Sequence, residues 1–198
     1  MKTNFSPRVE KKFIIKKTSI KVTENNIKKI GFKEIYKPRL VNSLYYDTLN
    51  FNCFKDSEEG IVPRKKYRVR NYNSDKNYQL DIKYQNFNGR YKRTEKLSTV
   101  PKNFFDNDYG KLEKKVFVNY YRKYFSFNEI RLTFDYEIKF KNLSSNKTIN
   151  NNYLIIELKN LNNYDELVDE YTSDMFNLPF SSYSKYEKAV ETLFNPNF

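Results

Sequence analysis

Lys66-Tyr67-Arg68-Val69-Arg70 alternates charged and apolar residues with period two, the mark of a β-strand. That period puts Lys66, Arg68 and Arg70 on one face and Tyr67 and Val69 on the other. Cations spaced roughly 7 Å apart along one strand face repel each other. Such a face is either solvated or meets a polyanion. A short basic run on its own is most often a wet strand face. The weight shifts because other strands of the chain repeat the pattern.

Working outward, residues 8–16 read as a strand with Arg8, Glu10 and Lys12 on one face. A short helix runs from Thr23 to Gly31. A strand covers 42–47, and Asp47-Thr48 closes a turn through side-chain to backbone bonds. Residues 49–63 read as a loop. The basic strand spans 64–71 and has 78–85 as its hairpin partner, with Asp81 and Lys83 on the charged side. Asn88-Gly89 is a hairpin turn signal leading into strand 90–97, which is charged on both faces. Residues 101–115 read as helical or irregular. Further strands follow at 116–125, 130–138 and 153–159, with a polar loop over 141–152. Arg131, Thr133, Asp135 and Glu137 share one face, as do Glu157 and Lys159. Two helices close the chain, one from Asn163 and one from Ser184, where Ser184-Lys185-Tyr186-Glu187 has the form of a capping box. No internal repeat or linker interrupts residues 1–198, which read as a single domain.

The composition narrows the chemistry. With 37 Lys and Arg against 24 Asp and Glu, the formal net charge is +13, which points to an anionic partner or to compositional drift toward Lys and Asn. Apolar residues make up only 38% of the chain and aromatics 18%, so Tyr and Phe must build much of the core. There is no His, which removes His-based acid–base, nucleophile and metal chemistry. The single Cys53 excludes an internal disulfide and a Cys-based zinc site. Any metal must therefore sit on carboxylates and phosphate oxygens, as Mg²⁺ and Mn²⁺ do. Four glycines leave no Walker A loop or dinucleotide fingerprint. No apolar run has the length of a membrane span or the form of a signal peptide, so a cytoplasmic protein without membrane insertion is expected.

About eight antiparallel strands joined by short loops predict an α+β, mainly β fold: an eight-stranded antiparallel β-barrel tunnel with flanking helices. One phase of the strands is charged and the other aromatic and aliphatic, which places a charged lumen inside. A polyphosphate chain with a divalent cation would relieve the repulsion in such a lumen. Phosphoryl transfer needs mainly positioning and charge stabilisation, so the lack of His is no obstacle.

The ordered set Arg8-x-Glu10-x-Lys12-Phe13, Tyr45-Tyr46-Asp47-Thr48, Lys66-x-Arg68-x-Arg70, Asp81-x-Lys83, Arg131-x-Thr133-x-Asp135, Glu157-x-Lys159 and Ser184-Lys185-Tyr186 resembles the VTC domain. That domain is the polyphosphate polymerase branch of the triphosphate tunnel metalloenzymes, also called the CYTH superfamily, and the similarity runs from about residue 6 to residue 193. The resemblance implies a tunnel that binds triphosphate or polyphosphate with Mn²⁺ or Mg²⁺. It matches Lys12, Arg68, Arg70, Lys83, Arg131 and Lys185 to phosphate-binding, catalytic positions and Glu157 to the metal-ligand glutamate. Glu10 stands in the superfamily's Glu-x-Glu-x-Lys signature, whose first Glu is Arg8 here, a departure that suits the polymerase branch. Glu10 and Asp135 are further metal candidates, and Arg8, Lys66, Lys92, Arg93, Arg122, Lys159 and Ser184 are candidate substrate contacts. The implied activity is transfer of the ATP γ-phosphate to polyphosphate. Metal-dependent tri- or polyphosphate hydrolysis and a non-catalytic polyphosphate-binding module are the alternatives, and a membrane protein is a candidate partner. Nucleic-acid binding is the weaker reading, because cations and aromatics sit on opposite faces rather than interleaved on one.

Overall fold

A computed structural model of the protein describes residues 10–160 and 180–194. The described elements are β1 (Glu10–Lys16), α1 (Ile20–Ile30), β2 (Lys33–Asp47), α2 (Asn52–Glu58), β3 (Arg64–Tyr72), β4 (Tyr78–Asn86), β5 (Gly89–Leu97), β6 (Asn103–Asp106), β7 (Gly110–Phe127), β8 (Ile130–Asn142), β9 (Thr148–Asn150), β10 (Tyr153–Asn160) and α3, which is Lys185–Phe194. The strands form one antiparallel sheet in the order β1-β10-β8-β7-β2-β3-β4-β5, with β6 paired to β7 and β9 to β8. The main path thus has the eight strands and the mainly β, α+β class that the alternating pattern predicts. The sheet does not close into a hydrogen-bonded barrel, however: among the described residues β1 and β5 do not pair with each other. The β5 edge carries Arg90, Lys92 and Lys96, and basic side chains on an edge discourage further strand pairing. The sheet curls instead, far enough that Lys83 of β4 feels Glu10 and Lys12 of β1.

Several boundaries differ from expectation. β2 is fifteen residues long rather than six. Its first half is exposed and contains Pro38, so it lacks the period-two pattern and is held by pairing with β7. Residues 49–63 contain α2, whose first-turn amides of Cys53 and Phe54 donate to the Asp47 carboxylate at 2.9 and 3.0 Å. Asp47 does close its turn, accepting from the Thr48 amide at 2.7 Å. Residues 101–115 hold β6 and the start of β7, turned at Gly110 (φ +70°) with Asp106 accepting from the Asp108 and Tyr109 amides. The 141–152 loop carries the short β9. α1 begins at Ile20, and the Thr23 hydroxyl donates to the Ser19 carbonyl inside the helix rather than capping it. Its end at Gly31 (φ 116°) is as expected. Arg8 and the helix expected from Asn163 lie outside the described residues.

β8 changes face partway. Glu137 takes a positive φ of 51°, and the register to β7 shifts between Asn119 and Tyr121. One extra residue flips the phase, so the face that presents Thr133 and Asp135 goes on as Ile138 and Phe140. Glu137 therefore leaves the charged face and pairs with Lys17. This bulge divides the inner surface into a charged half and an apolar half.

The apolar half receives α3. Tyr186, Ala189, Val190 and Leu193 pack against Val41, Tyr45, Val116, Val118, Ile138, Phe140 and Ile155. The outer face of β1, β10, β8 and β7 is covered by α1 through Ile27. A third cluster, around Tyr46, Tyr67, Val69, Leu80, Ile82 and Leu112, includes Cys53 of α2. The capping box is half formed: the Glu187 amide donates to Ser184 Oγ, but the Glu187 carboxylate accepts from Ser57 and Lys66 instead.

The Tyr186 hydroxyl donates to the buried Asp47 carboxylate, and its ring stacks on Tyr45 with centroids 5.0 Å apart. Asp47 thereby ties α2 and α3 to the end of β2. Burial raises the Asp47 carboxyl, and the Tyr186 and backbone donors offset part of that cost. Tyr186→Phe is expected to destabilise the protein by about 1.5–3 kcal/mol, the worth of a hydrogen bond to a charged group. An unchanged urea midpoint would show that this contact is dispensable.

Candidate functional site

The charged half of the inner face is built around two carboxylate centres. The first is Asp81 of β4, fully buried. It accepts from Arg68 Nη2 at 2.6 Å and lies 3.3 Å from Arg70 Nη2, both on β3. Lys92 Nζ, from β5, stands at 2.6 Å, and Thr94 Oγ1 donates at 3.2 Å. The pairing registers Arg68↔Asp81 and Asp81↔Thr94 make this cluster a direct result of strand alignment. Burial alone would raise the Asp81 carboxyl, but Arg68, Arg70 and Lys92 outweigh it and hold it at about 2. Arg70 Nε is buried and has no protein partner among the described residues.

The second centre joins Asp135 of β8 and Glu157 of β10. Arg122 of β7 grips Asp135 through Nε and Nη2 at 2.5 and 2.6 Å, a bidentate pair, and its Nη2 lies 3.6 Å from Glu157. Lys185, at the start of α3, reaches Asp135 at 2.5 Å. Lys159 bridges Glu157 at 2.6 Å and Glu10 at 3.1 Å. Lys12 stands 3.1 Å from Glu10 and donates to the Tyr183 carbonyl at 3.0 Å. Against the cost of burial, Lys159, Arg122 and Lys185 keep Glu157 well below the ordinary carboxylate range. Burial likewise works against the charged form of Lys185, yet Asp135 raises it above an ordinary lysine.

Between these centres lies a row of lysines. Lys66, Lys83 and Lys92 stand directly opposite one another across β3, β4 and β5. Lys66 is neutralised by Glu187 and Lys92 by Asp81. Among the described residues no carboxylate lies within ion-pair distance of Lys83. Its side chain is open to solvent on the inner face, yet desolvation and Arg68, helped by Lys12, push its amine down to about 7 against the opposing pull of Glu10 and Glu157. A bound polyanion raises that value, so binding takes up a proton. The gain is complete below about pH 7 and is lost as pH rises through the value in the complex. Tripolyphosphate affinity is therefore expected to fall as pH rises above neutrality, less steeply than about tenfold per pH unit because the solvent-open Lys83 keeps part of its hydration. Lys83→Met should bind more weakly at pH 6.5 and follow a flatter profile, read by calorimetric titration across pH 6.5–9 at roughly half-unit steps.

The end of the inner face away from α3 is aromatic. Arg39 Cζ lies 5.0 Å from the Tyr36 ring, 5.7 Å from Tyr124 and 5.9 Å from Tyr72. Arg70 lies over Tyr72 at 5.1 Å, and Arg131 over Tyr124 at 6.0 Å.

The structure thus brings Lys12, Lys66, Arg68, Arg70, Lys83, Lys92, Arg122, Lys159, Lys185, Glu10, Asp135 and Glu157 to one inner surface, with Arg131 exposed at its aromatic end. Arg93 is set apart: it pairs with Glu95 on the opposite face of β5 from Lys92. The Ser184 hydroxyl serves as the cap of α3. Arg39, Tyr36, Tyr72, Tyr124 and Glu187 escape the sequence reading. The Arg39–Tyr36 spacing of three has no strand periodicity, and Glu187 is masked by its fit to a capping box.

The family model for the VTC domain matches residues 7–114 and 102–194. No curated protein matches the chain. Solved structures share the fold. A Bacillus halodurans protein described as a candidate adenylate cyclase aligns with TM-score 0.62 at 13% identity, covering 94% of this chain and 97% of that one. The PH1012 protein of Pyrococcus horikoshii aligns with TM-score 0.59 at 12% identity over 91% and 98%. A Hippeastrum protein described as a candidate adenylyl cyclase with a dominant triphosphatase activity aligns with TM-score 0.53 at 13% identity over 92% and 93%.

Proposed function

The chain belongs to the VTC domain family, and on that premise we propose that it is an ATP–polyphosphate phosphotransferase, with the inner face as its active site. The observation that supports this reading is the unpaired lysine beside two carboxylate centres that are each ringed by cations. Lys83, the free Nε of Arg70 and the exposed Arg131 offer donors that no carboxylate of the described protein satisfies. Phosphate oxygens match those donors, and guanidinium groups engage them in a bidentate way.

The acidic groups divide by partner. Asp135 is enclosed by Arg122 and Lys185, which fits a positioning role. Glu10 and Glu157 turn toward the same Lys159 ammonium. Among the described residues no three acidic, His or Cys side chains gather as a metal cage. A pair of carboxylates still suits Mg²⁺ or Mn²⁺, which are held by one or two carboxylates with phosphate oxygens and water completing the shell. Glu10 and Glu157, which share the Lys159 ammonium, would hold such an ion. When bound, the ion would neutralise charge on the transferring phosphoryl group. Arg68, Arg70 and Arg122 would orient the phosphates, and Lys12 and Lys185 would stabilise charge on the leaving and accepting oxygens.

The test is incubation of the purified protein with ATP and Mn²⁺ or Mg²⁺, scored together for polyphosphate and for released orthophosphate. Polymer formation supports the transferase reading. Orthophosphate without polymer replaces it with triphosphate hydrolysis, which the same residues would serve with water as acceptor. Binding of polyphosphate with neither product leaves a binding module.

A further inference from the structure

We propose that the aromatic end of the inner face, formed by Tyr36, Arg39, Tyr72 and Tyr124, is a docking site for the planar base of a nucleoside triphosphate. This inference rests on the phosphate-binding reading of the deeper site and adds a second, chemically different subsite to it. Backbone geometry is the first support. Tyr36 and Arg39 are three residues apart, so a regular strand would turn them to opposite faces. Register shifts fall between Glu34 and Tyr36 and between Tyr36 and Arg39, and in the second, three residue steps of β2 span two of β7, from Tyr124 to Arg122. The extra residue swings both side chains to the same side, where the Arg39 guanidinium lies over the Tyr36 ring. Bulges of this kind re-aim side chains beside functional sites.

Charge supplies the second support. Arg68, Arg70 and Arg122, deeper on the same face, each have a carboxylate partner. Arg39 and Arg131 have none within ion-pair distance among the described residues, and both lie against tyrosine rings. A guanidinium placed against aromatic rings is suited to stacking on another π-system. Tyr36 stands edge-on to Tyr124, with centroids 5.7 Å apart, and is half exposed, so one side of this cluster is open. Continuity is the third. Tyr72 lies under Arg70, which touches Asp81, so the rings lead directly into the cationic surface. A ligand with a planar end and an anionic tail spans both.

The experiment compares three probes by calorimetric titration: ATP, ribose 5-triphosphate, which lacks the base, and inorganic tripolyphosphate. In the wild type ATP is expected to bind about tenfold more tightly than ribose 5-triphosphate, the low end of base–aromatic stacking. Tyr36→Ala should erase that difference and leave tripolyphosphate affinity within about twofold, while Tyr36→Phe keeps the preference for ATP. Phe105→Ala, an exposed ring elsewhere, should change nothing. Equal affinity of the wild type for ATP and ribose 5-triphosphate overturns the subsite even if no variant folds, and so does a Tyr36→Ala loss shared equally by all three probes. Tight tripolyphosphate binding in either of those cases leaves the phosphate-binding reading standing. Failure of the wild type to bind any of the three overturns both.

Discussion

Glu157→Gln is expected to lower metal-dependent turnover by at least about a hundredfold, the scale of losing one charge-stabilising group at a reacting centre, while polyphosphate still binds. The substitution keeps the shape of the side chain and removes its charge. Glu157 is nearly buried on β10, and Lys159, Arg122 and Lys185 hold it ionised against its burial. It is thus a standing negative charge on the surface proposed to bind phosphate. A structural ion pair with Lys159 would account for it without any metal. The two accounts part on binding and turnover. If Glu157 carries the ion, polyphosphate affinity holds or tightens, because one repulsive charge is gone, while turnover loses its dependence on Mn²⁺ or Mg²⁺. Unchanged turnover with an unchanged metal requirement, followed by single-turnover assay, would discard the assignment and leave Glu10 as the remaining half of the pair.

Asp81→Asn is expected to destabilise the protein by about 3–5 kcal/mol, because it strands the largely buried Arg68 and Arg70 without their counter-charge. Arg68, Arg70 and Lys92 all converge on this carboxylate. Tripolyphosphate should restore much of the loss, since ligand at about 100 times its dissociation constant adds about 2.7 kcal/mol to any folded state that binds it. A thermal melt with and without tripolyphosphate reads both effects. The acid limb checks the cause. The folded value of about 2 lies below the ordinary 3.8, so the contribution of Asp81 is complete above the ordinary value and is lost as pH falls toward 2. Asp81→Asn should lack that part of the acid transition. A variant as stable as the wild type would mean that the cluster is solvated and its cations are independent.

Much of the β framework was legible because its strands alternate. β3, β4, β8 and β10 carry charge on one phase and core residues on the other, and Asn88-Gly89 marks its turn. From those phases alone Arg68, Arg70, Lys83 and Asp81 fall on one surface, as they do in the structure. The rest failed for identifiable reasons. The first half of β2 is held by its pairing with β7 and has no buried face of its own to write into the sequence. α2 is too short to show periodicity and depends for its first turn on the Asp47 carboxylate, outside the helix at the end of β2. Bulges moved Glu137 off the charged face and Tyr36 with Arg39 together, and a one-residue slip is invisible to any periodic reading. Arg93 and Lys92 are neighbours on a strand charged on both sides, so only the register to Asp81 separates them.

The interlocking of Asp81, Asp135, Glu10 and Glu157 with their arginines and lysines has a consequence for how the protein responds to ionic strength. A polyanion entering a bare cationic groove displaces mobile salt ions, and its affinity drops steeply as salt is added. Here much of the positive charge is already neutralised by carboxylates fixed to the strands. A phosphate chain bound as proposed would exchange places with those fixed anions, and few ions would return to bulk. The free-energy gain then comes from local exchange of partners rather than from release of a diffuse ion cloud. Binding at this surface is accordingly expected to be far less sensitive to salt than a net charge of +13 implies, with selectivity resting on which anion can outcompete the protein's own side chains.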